Sequence, residues 1–456
     1  RTRKDSRTRH MRRYRWGVAD RLLSVEDSRR GETRYSYTPT GQLERAEYPD
    51  GREQWRKSDQ TGNLYPDPDM RLRRYLGGGR LEQDGEWHCE YDADGNLTER
   101  YLGTGRWLDG KKDRWRYRWN ADGSLAKVVR PDKREVEFTY DALGRRLSKS
   151  FGTTMTRWVW NGNVPLHQWK QHREYSVMED RWNTDTEHRD MTVWLFDEDS
   201  FVPVAMIKEG RSYSILTDQL GTPTEAYDTE GNEVWSRVLD MDGNVIEETG
   251  NKGMVPFLFQ GQYYDRETGL AYNRFRYYSP KMGVYVSQDP IGLGGGILNL
   301  YGYVDDTNVW IDSFGLDWNY VLINSKGNVF YSGRASDNAN LSDVARRHAG
   351  TKGADGTRFG NGDTLVQITK PQITSYAAAR GVEQFGIMNS STPLLGYRST
   401  NVRGNKIAGI SSSNRNIEIY MSEGESVING KTLADMIAKG KKMTFEEYQT
   451  KKTYKK

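Results

Sequence analysis

Residues 91–97, Tyr91-Asp92-Ala93-Asp94-Gly95-Asn96-Leu97, decide the fold, because their pattern returns along most of the chain. An aromatic residue is followed by Asp, two variable residues, Gly, one more variable residue and an apolar residue. Gly accepts the positive φ that a tight turn needs, and Asp hydrogen-bonds the backbone of its own turn. The pattern therefore predicts a β-hairpin, in which the aromatic ends one strand and the apolar residue starts the next. Further copies, some degenerate, stand at 37–43, 119–125, 140–145, 227–234 and 240–245.

The segments between the copies alternate apolar and polar residues, as in Val136-Glu137-Phe138-Thr139-Tyr140. This alternation is typical of strands with one buried face. A single hairpin is marginally stable, so neighbouring hairpins must stack and bury each other's faces. The sequence predicts a mostly β array of stacked hairpins, of which a β-propeller and an unrelated β-solenoid are possible forms.

Composition agrees with this prediction and excludes several classes of site. The 456 residues include 28 Tyr, 14 Trp and 47 Gly, which favours strands joined by tight turns. The single cysteine, Cys89, excludes an intrachain disulfide framework and a cysteine-based zinc cluster. There is no run of about 18 apolar residues, so we expect no membrane span, and we expect no signal peptide.

The stretch before residue 316 carries a second set of motifs. It contains Tyr-Tyr-Asp-Arg-Glu-Thr-Gly-Leu at 263–270, Tyr-Asn-Arg-Phe-Arg-Tyr-Tyr at 272–278 and Asn-Leu-Tyr-Gly-Tyr-Val at 299–304. Together with the tandem repeats, this stretch resembles the end of the core of Rhs/YD-repeat proteins, whose hairpins coil into a hollow β-shell. The resemblance implies a YD-repeat shell segment at 1–287, a core end with an autoproteolysis motif at 288–316 and a C-terminal toxin domain at 317–456. We expect the N-terminal remainder of the shell to be a partner, since about 290 residues are too few to close it.

Two Asp-x-x-Gly-Leu elements, at 289–293 and 312–316, end this region. In the family they form an intramolecular aspartyl protease, which implies that Asp289 and Asp312 cut the Leu316–Asp317 bond. One carboxyl would hold a proton as acid while the other activates water. Ser313 stands where the family usually has Pro. The alternatives are that Asp305 or Asp306 substitutes for one aspartate, or that the aspartates only cap turns in an uncut plug.

Residues 317–456 differ in composition from everything before them. They hold 20 Lys and Arg against 12 Asp and Glu, whereas residues 1–316 hold 47 against 51. A basic module suits an anionic target such as nucleic acid. The pattern predicts a small α+β domain with strands at 319–323, 329–333 and 364–368 and helices at 341–348 and 375–387.

The order of these elements resembles the GIY-YIG (URI-type) endonucleases, with motif tyrosines at Tyr320 and Tyr331. The resemblance implies a metal-dependent nuclease that uses Mg²⁺ or Mn²⁺, with DNA preferred over RNA as substrate. The tyrosines would help to deprotonate water, an Arg would neutralise phosphate charge, and His would carry protons or bind phosphate. Val344 occupies the usual Arg position of the first helix. The implied residues are Tyr320, Tyr331, Arg334, Arg346, His348 and Asn405 as catalytic residues and Glu383 as the metal ligand, with no cofactor-binding residue.

These resemblances imply a secreted interbacterial effector that is delivered into the target bacterial cell, where self-cleavage frees the toxin. The implied partners are nucleic acid, a cognate immunity protein and a type VI secretion spike. An ADP-ribosyltransferase cargo in the same shell and a non-enzymatic adhesion scaffold are the alternatives. A zinc deaminase cargo is disfavoured, because residues 317–456 contain no Cys.

Overall fold

The computed structural model describes residues 2–4, 10–18, 21–39, 41–103, 110–198, 200–289, 299–312, 317–336, 344–345, 348–349, 352–353, 356–367, 387–388, 432–439, 441–444 and 446–447. The chain divides into two compact units. The first comprises residues 1–289 and 297–313, and the second comprises residues 290–296 and 314–456.

The first unit begins with a six-stranded antiparallel sheet in chain order, which we call the first sheet. A two-stranded pair follows it. The strands of the first sheet are β1 (Thr2–Lys4), β2 (Met11–Trp16), β3 (Leu22–Asp27), β4 (Gly31–Tyr37), β5 (Leu43–Glu47) and β6 (Glu53–Trp55), and the pair is β7 (Lys57–Ser58) and β8 (Leu64–Tyr65).

A long antiparallel meander, the main sheet, makes up most of this unit. It starts next to a short 3-10 helix at Gly77–Gly79, and its β18 is long enough to pair with both β19 and β20. Its strands are β9 (Arg73–Leu76), β10 (Arg80–Asp84), β11 (Trp87–Tyr91), β12 (Leu97–Leu102), β13 (Lys112–Trp119), β14 (Leu125–Val129), β15 (Glu135–Tyr140), β16 (Arg146–Phe151), β17 (Thr154–Asn161), β18 (Val164–Ser176), β19 (Arg181–Thr184), β20 (Arg189–Phe196), β21 (Pro203–Lys208), β22 (Arg211–Thr217), β23 (Pro223–Tyr227), β24 (Glu233–Leu239) and β25 (Val245–Gly250).

The repeat turns follow the predicted hairpin geometry. At the copy in residues 91–97, Tyr91 ends β11 and Leu97 starts β12. The Asp92 carboxylate accepts a hydrogen bond from the Asn96 backbone N–H at 2.8 Å, and the Gly95 N–H donates to the Asp92 carbonyl at 3.1 Å. Gly95 has φ of +78°, which side chains with a Cβ adopt at a cost. The mostly β fold and its YD-repeat hairpins are confirmed.

The repeat aromatics also connect successive hairpins. The Tyr91 hydroxyl donates to the Leu81 carbonyl at 3.0 Å, and the Tyr140 hydroxyl donates to the Leu125 carbonyl at 2.7 Å. The indole N–H of Trp119 makes the equivalent bond to the Leu97 carbonyl at 2.7 Å. Each ring is therefore a half-buried apolar body that packs on the core and carries a donor at its tip, a requirement that Tyr and Trp meet and Phe does not.

A charged seam joins the first sheet to the main sheet. Four arginines of the first sheet or its turns each pair with a carboxylate of the β23–β25 region. Arg12 also donates to Thr224 at 2.8 Å, and the buried His10 ring lies 2.9 Å from Asp27 and 3.4 Å from Glu225. The pairs are Arg12 with Glu225, Arg29 with Glu233 at 2.5 Å, Arg30 with Glu247 at 3.2 Å and Arg56 with Asp242 at 3.1 Å.

A four-stranded antiparallel sheet, the junction sheet, packs against the main sheet within the same core. Asp265 of this sheet is fully buried and pairs with Arg146 of β16 at 2.5 Å and with Lys149 at 3.0 Å. The Arg146 guanidinium also lies over the rings of Trp158 and Tyr272, 4.5 Å from each centroid. The strands are β26 (Tyr263–Asp265), β27 (Leu270–Asn273), β28 (Arg276–Ser279) and β29 (Val284–Tyr285).

The second unit contains an antiparallel sheet in the order β31-β30-β34-β35. Its hairpin turns on Asn324, whose side chain accepts the N–H of Lys326 and of Asn328, both at 3.0 Å. The predicted strands at 319–323 and 329–333 are confirmed, and so is the predicted strand at 364–368 as far as Gln367. The predicted helix at 375–387 lies almost wholly outside the described residues. The elements are β30 (Asp317–Ile323), β31 (Val329–Ser336), β32 (Lys352–Gly353), β33 (Gly356–Thr357), β34 (Thr364–Gln367), α1 (Leu433–Lys439) and β35 (Lys441–Thr444).

None of the helices in the described part of the chain has the length and hydropathy needed to cross a membrane. The domain boundaries predicted at 287 and 316 stay predictions.

We expect Tyr91→Phe to lower the free energy of unfolding by about 1–2 kcal/mol, because the substitution keeps the ring and removes the donor to the Leu81 carbonyl. Urea unfolding of the full chain measures this change. Tyr213→Phe is the control, since Tyr213 packs on the same core and its hydroxyl has no hydrogen bond among the described residues. Equal effects of the two substitutions would contradict the role given to the tip hydroxyl.

The seam should weaken in acid through Asp27. Burial raises the pKa of Asp27, but the Arg29 backbone N–H, Arg12 and His10 outweigh it and lower the pKa to about 2. The carboxylate therefore stabilises the fold above about pH 4 and loses this effect as the pH falls towards 2. We expect Asp27→Asn to cost about 2 kcal/mol near neutral pH, with the cost shrinking between pH 4 and 2 in urea unfolding. A cost that stays constant with pH would contradict the assignment.

Candidate functional site

The two aspartates of the Asp-x-x-Gly-Leu elements lie close together in the first unit. Asp289 follows β29 and is anchored by its N–H, which donates to the Leu300 carbonyl at 2.5 Å. Asp312 is buried, and its N–H donates to the Tyr303 hydroxyl at 3.3 Å. Asp289, Leu300 and Asp312 are separated in sequence, and the folding of the 299–312 segment onto the junction sheet brings them together.

One guanidinium contacts both carboxylates. Arg276 of β28 donates from Nη2 to Asp312 Oδ2 at 2.9 Å, and its Nη1 lies 3.6 Å from Asp289 Oδ2. The first contact is a charge-assisted hydrogen bond and the second is an ion pair without a hydrogen bond. A shared buried cation permits both carboxyl groups to be ionised next to it, because their mutual repulsion would otherwise oppose the ionisation of both.

Two further side chains hold Asp312. The Tyr285 hydroxyl donates to Asp312 Oδ2 at 2.8 Å, and the Asn273 amide donates to the Asp312 carbonyl at 2.7 Å. Burial, followed by the Asp312 charge, raises the pKa of Tyr285 well above its ordinary value. Burial likewise raises the pKa of Tyr303. Both phenols therefore keep their protons and stay hydrogen-bond donors at neutral pH.

The arrangement suits acid–base work on a peptide bond. Two neighbouring carboxyl groups can divide the roles of base and acid. This division of roles is the chemistry that an aspartyl protease uses. Leu316, on one side of the predicted scissile bond, lies outside the described residues, and Asp317 is the first residue of β30.

Asp305 and Asp306, the alternatives to one of the two predicted catalytic aspartates, make contacts of a different kind. The Asp305 carbonyl accepts a hydrogen bond from Arg56 at 3.0 Å. Asp306 is buried and caps a turn, accepting the Asn308 N–H at 2.9 Å. Burial raises the pKa of Asp306. These contacts connect Asp305 and Asp306 to the turns near the first sheet.

The sequence did not predict Arg276, Tyr285 or Asn273 as members of this site. All three lie in the stretch that carried the resemblance, among many aromatic and polar residues. The sequence places Asn273 and Arg276 within the 272–278 motif, and the structure shows them as a cross-strand pair at adjoining ends of two short strands. Their relation to Asp312, 36 residues beyond Arg276, depends on a long-range contact.

In the second unit, two predicted nuclease residues meet. The ring centroids of Tyr331 on β31 and the buried His348 are 5.1 Å apart, with an edge-to-face geometry. Arg358, which was not predicted, joins them: its guanidinium lies 4.7 Å from the Tyr331 ring centroid and its Nη1 is 3.4 Å from His348 Nδ1. A phenol, an imidazole and a guanidinium thus converge at one place.

The other predicted nuclease residues are described in part or not at all. Tyr320 lies on β30 opposite Gly333, and Arg334 lies on β31 opposite Asn319. Arg346, Glu383 and Asn405 fall outside the described residues. Within the described ranges, no group of three or more His, Cys, Asp or Glu side chains could hold a metal ion.

The chain matches a family model, Teneurin YD-shell, over residues 18–293. It is 32% identical over 335 residues to a double-stranded DNA deaminase toxin A of Burkholderia cenocepacia (strain H111), covering 68% of this chain and 23% of that protein. It is 29% identical over 247 residues to a probable deoxyribonuclease RhsA of Dickeya dadantii (strain 3937), covering 52% and 16%. It is 30% identical over 327 residues to the toxin protein Tse5 of Pseudomonas aeruginosa, covering 64% and 24%. The chain thus spans less than a quarter of each of these relatives.

Proposed function

The chain belongs to the Teneurin YD-shell family, and we propose that it is the end of an interbacterial Rhs effector that cleaves itself between Leu316 and Asp317 and frees a nuclease. The observation that carries the proposal is the contact of Arg276 with both Asp289 and Asp312. One buried and one half-buried carboxyl group around a single cation need a reason, because a turn cap alone requires neither the second carboxylate nor the arginine.

The proposed cleavage is a hydrolysis. Asp312 takes a proton from a water molecule while the water oxygen bonds to the Leu316 carbonyl carbon. Asp289, which is protonated at the outset, gives its proton to the Leu316 carbonyl oxygen. The Leu316–Asp317 C–N bond then breaks as the proton held by Asp312 passes to the leaving nitrogen. The products are a carboxyl group on Leu316 and an amino group on Asp317, and the proton from the intermediate returns to Asp289. Arg276 balances the negative charge of the pair.

The freed residues 317–456 would act on nucleic acid, DNA in preference to RNA, in the manner of a GIY-YIG endonuclease. Support comes from the meeting of Tyr331, His348 and Arg358, from the basic charge of this segment and from a relative that is named a probable deoxyribonuclease. Tyr331 with His348 would move the proton of the attacking water, and Arg358 would neutralise charge on the phosphate. Tyr320, Arg334, Arg346 and Asn405 stay proposed members of this site.

Mg²⁺ or Mn²⁺ would be held by Glu383 through oxygen ligands and, when bound, would supply charge neutralisation at the scissile phosphate. Glu383 lies outside the described residues, and no described cluster offers an alternative ligand set. The remaining proposed partners are an immunity protein that blocks the site, a type VI secretion spike and the N-terminal remainder of the shell. Delivery into a target bacterial cell completes the proposal.

The full chain should divide into two fragments on a denaturing gel, with the smaller one beginning at Asp317 by N-terminal sequencing. Asp289→Asn and Asp312→Asn should each leave a single uncut band, because each removes one of the two acid–base groups. Asp306→Asn is the matched control and should cleave like the unsubstituted chain. Full cleavage of Asp289→Asn or Asp312→Asn would refute the assignment.

The cleaved chain should degrade plasmid DNA in the presence of Mg²⁺ or Mn²⁺ and stop when EDTA is added. Glu383→Gln should abolish degradation, and Arg358→Gln should slow it about 100-fold, as loss of one charge-stabilising donor does. Lys326→Gln, in an exposed turn of the same unit, controls for loss of basic charge. Intact DNA and intact RNA with both metals would rule out a nuclease cargo.

A further inference from the structure

We propose that Tyr285 is a positioning residue for self-cleavage, whose hydroxyl, itself fixed by Asn273, holds the Asp312 carboxylate in place to take a proton from water. This inference rests on the self-cleavage proposed above and adds two residues to it. Neither residue belongs to the Asp-x-x-Gly-Leu elements.

A chain of hydrogen bonds leads from Asn273 to the carboxylate. Asn273 Nδ2 donates to the Tyr285 hydroxyl at 2.6 Å, and this hydroxyl donates to Asp312 Oδ2 at 2.8 Å. The same Asn273 nitrogen donates to the Asp312 main-chain carbonyl at 2.7 Å. An amide nitrogen carries two protons, so it can make both bonds at once. One Asn side chain thus governs both the backbone and, through Tyr285, the carboxylate of Asp312.

The acceptors fix the direction of these hydrogen bonds. The Asp312 carbonyl can only accept, so the Asn273 nitrogen, and not its oxygen, must face it. That orientation also presents an N–H to the Tyr285 oxygen, which accepts it and directs its single proton at Asp312. Tyr285 keeps this proton, because burial and the nearby Asp312 charge raise its pKa well above the ordinary value.

Tyr285 also supports the shared arginine. The Arg276 guanidinium lies over the Tyr285 ring, 3.6 Å from its centroid, while its Nη2 donates to the same Asp312 oxygen that Tyr285 contacts. Two donors on Oδ2 fix the plane of the carboxylate. The groups are buried, with 1% of Tyr285 and none of Asn273 exposed, so water does not replace a lost contact readily.

The junction sheet explains why these groups meet. Asn273 ends β27 and pairs with Arg276 at the start of β28, and Tyr285 ends β29 opposite Tyr278 of β28. Three short, buried strands therefore set the positions of all three side chains before the 299–312 segment adds Asp312. A site built on strands holds its geometry better than one built on loops.

Tyr285→Phe in the full chain tests the proposal, with cleavage followed over time after in vitro translation. We expect cleavage to slow about 10- to 100-fold without stopping, since misplacement and not loss of a reacting group is the cause. The acid limb of the pH–rate profile should also move to higher pH, because a hydrogen bond donated to a carboxylate favours its charged form. A purely structural role would not move this limb.

Tyr278→Phe is the matched control. Tyr278 is a fully buried tyrosine of the same sheet, and its hydroxyl donates to the Asp242 carbonyl at 2.8 Å and not to Asp289 or Asp312. Its removal should leave the rate and the pH–rate profile unchanged. Asn273→Leu, which keeps the volume and removes both donors, should repeat the effect of Tyr285→Phe and serves as the second variant if Tyr285→Phe fails to fold.

The positioning role is overturned if Tyr285→Phe, or Asn273→Leu in its place, cleaves at the unsubstituted rate with an unchanged profile, or if Tyr278→Phe slows cleavage equally. Failure of the proposed function gives a different result. In that case the unsubstituted chain stays uncut, or Asp312→Asn cleaves normally, and the role of Tyr285 falls with it.

Discussion

The shell depends on a hydrogen bond that crosses from one hairpin to the next, from the polar tip of a repeat aromatic to a carbonyl at the start of an earlier strand. Tyr91, Trp119 and Tyr140 all make it, with a hydroxyl or an indole N–H as donor. The bond satisfies a backbone acceptor where the ladder shifts register at a turn, and it brings a large ring into the core at the same time. In these three repeats, packing and polar satisfaction therefore come from one residue.

The hairpins could be predicted from the sequence because their causes are local. An Asp that caps its own turn, a Gly at positive φ and a flanking aromatic lie within seven residues, so one copy suffices to define the element. The antiparallel hairpin of β30 and β31 was predictable for the same reason, with Asn324 in the place that Asp takes in the repeats.

The candidate site was predictable only in part, because its geometry depends on distant contacts. Both aspartates were identified from their motif, but the arginine between them comes from another strand, 36 residues before Asp312. Nothing in the sequence around Arg276 distinguishes it from Arg274, which is also buried but contacts Asn163. Arg358 was missed likewise, since its neighbour His348 is ten residues away and on a different element.

The charged seam has a consequence for how the shell assembles. All four arginines of the ion pairs lie on the side of the first sheet, and all four carboxylates lie on the side of the main sheet. Because all four pairs form together in this arrangement, they make one placement of the first sheet on the main sheet more favourable than placements that break them.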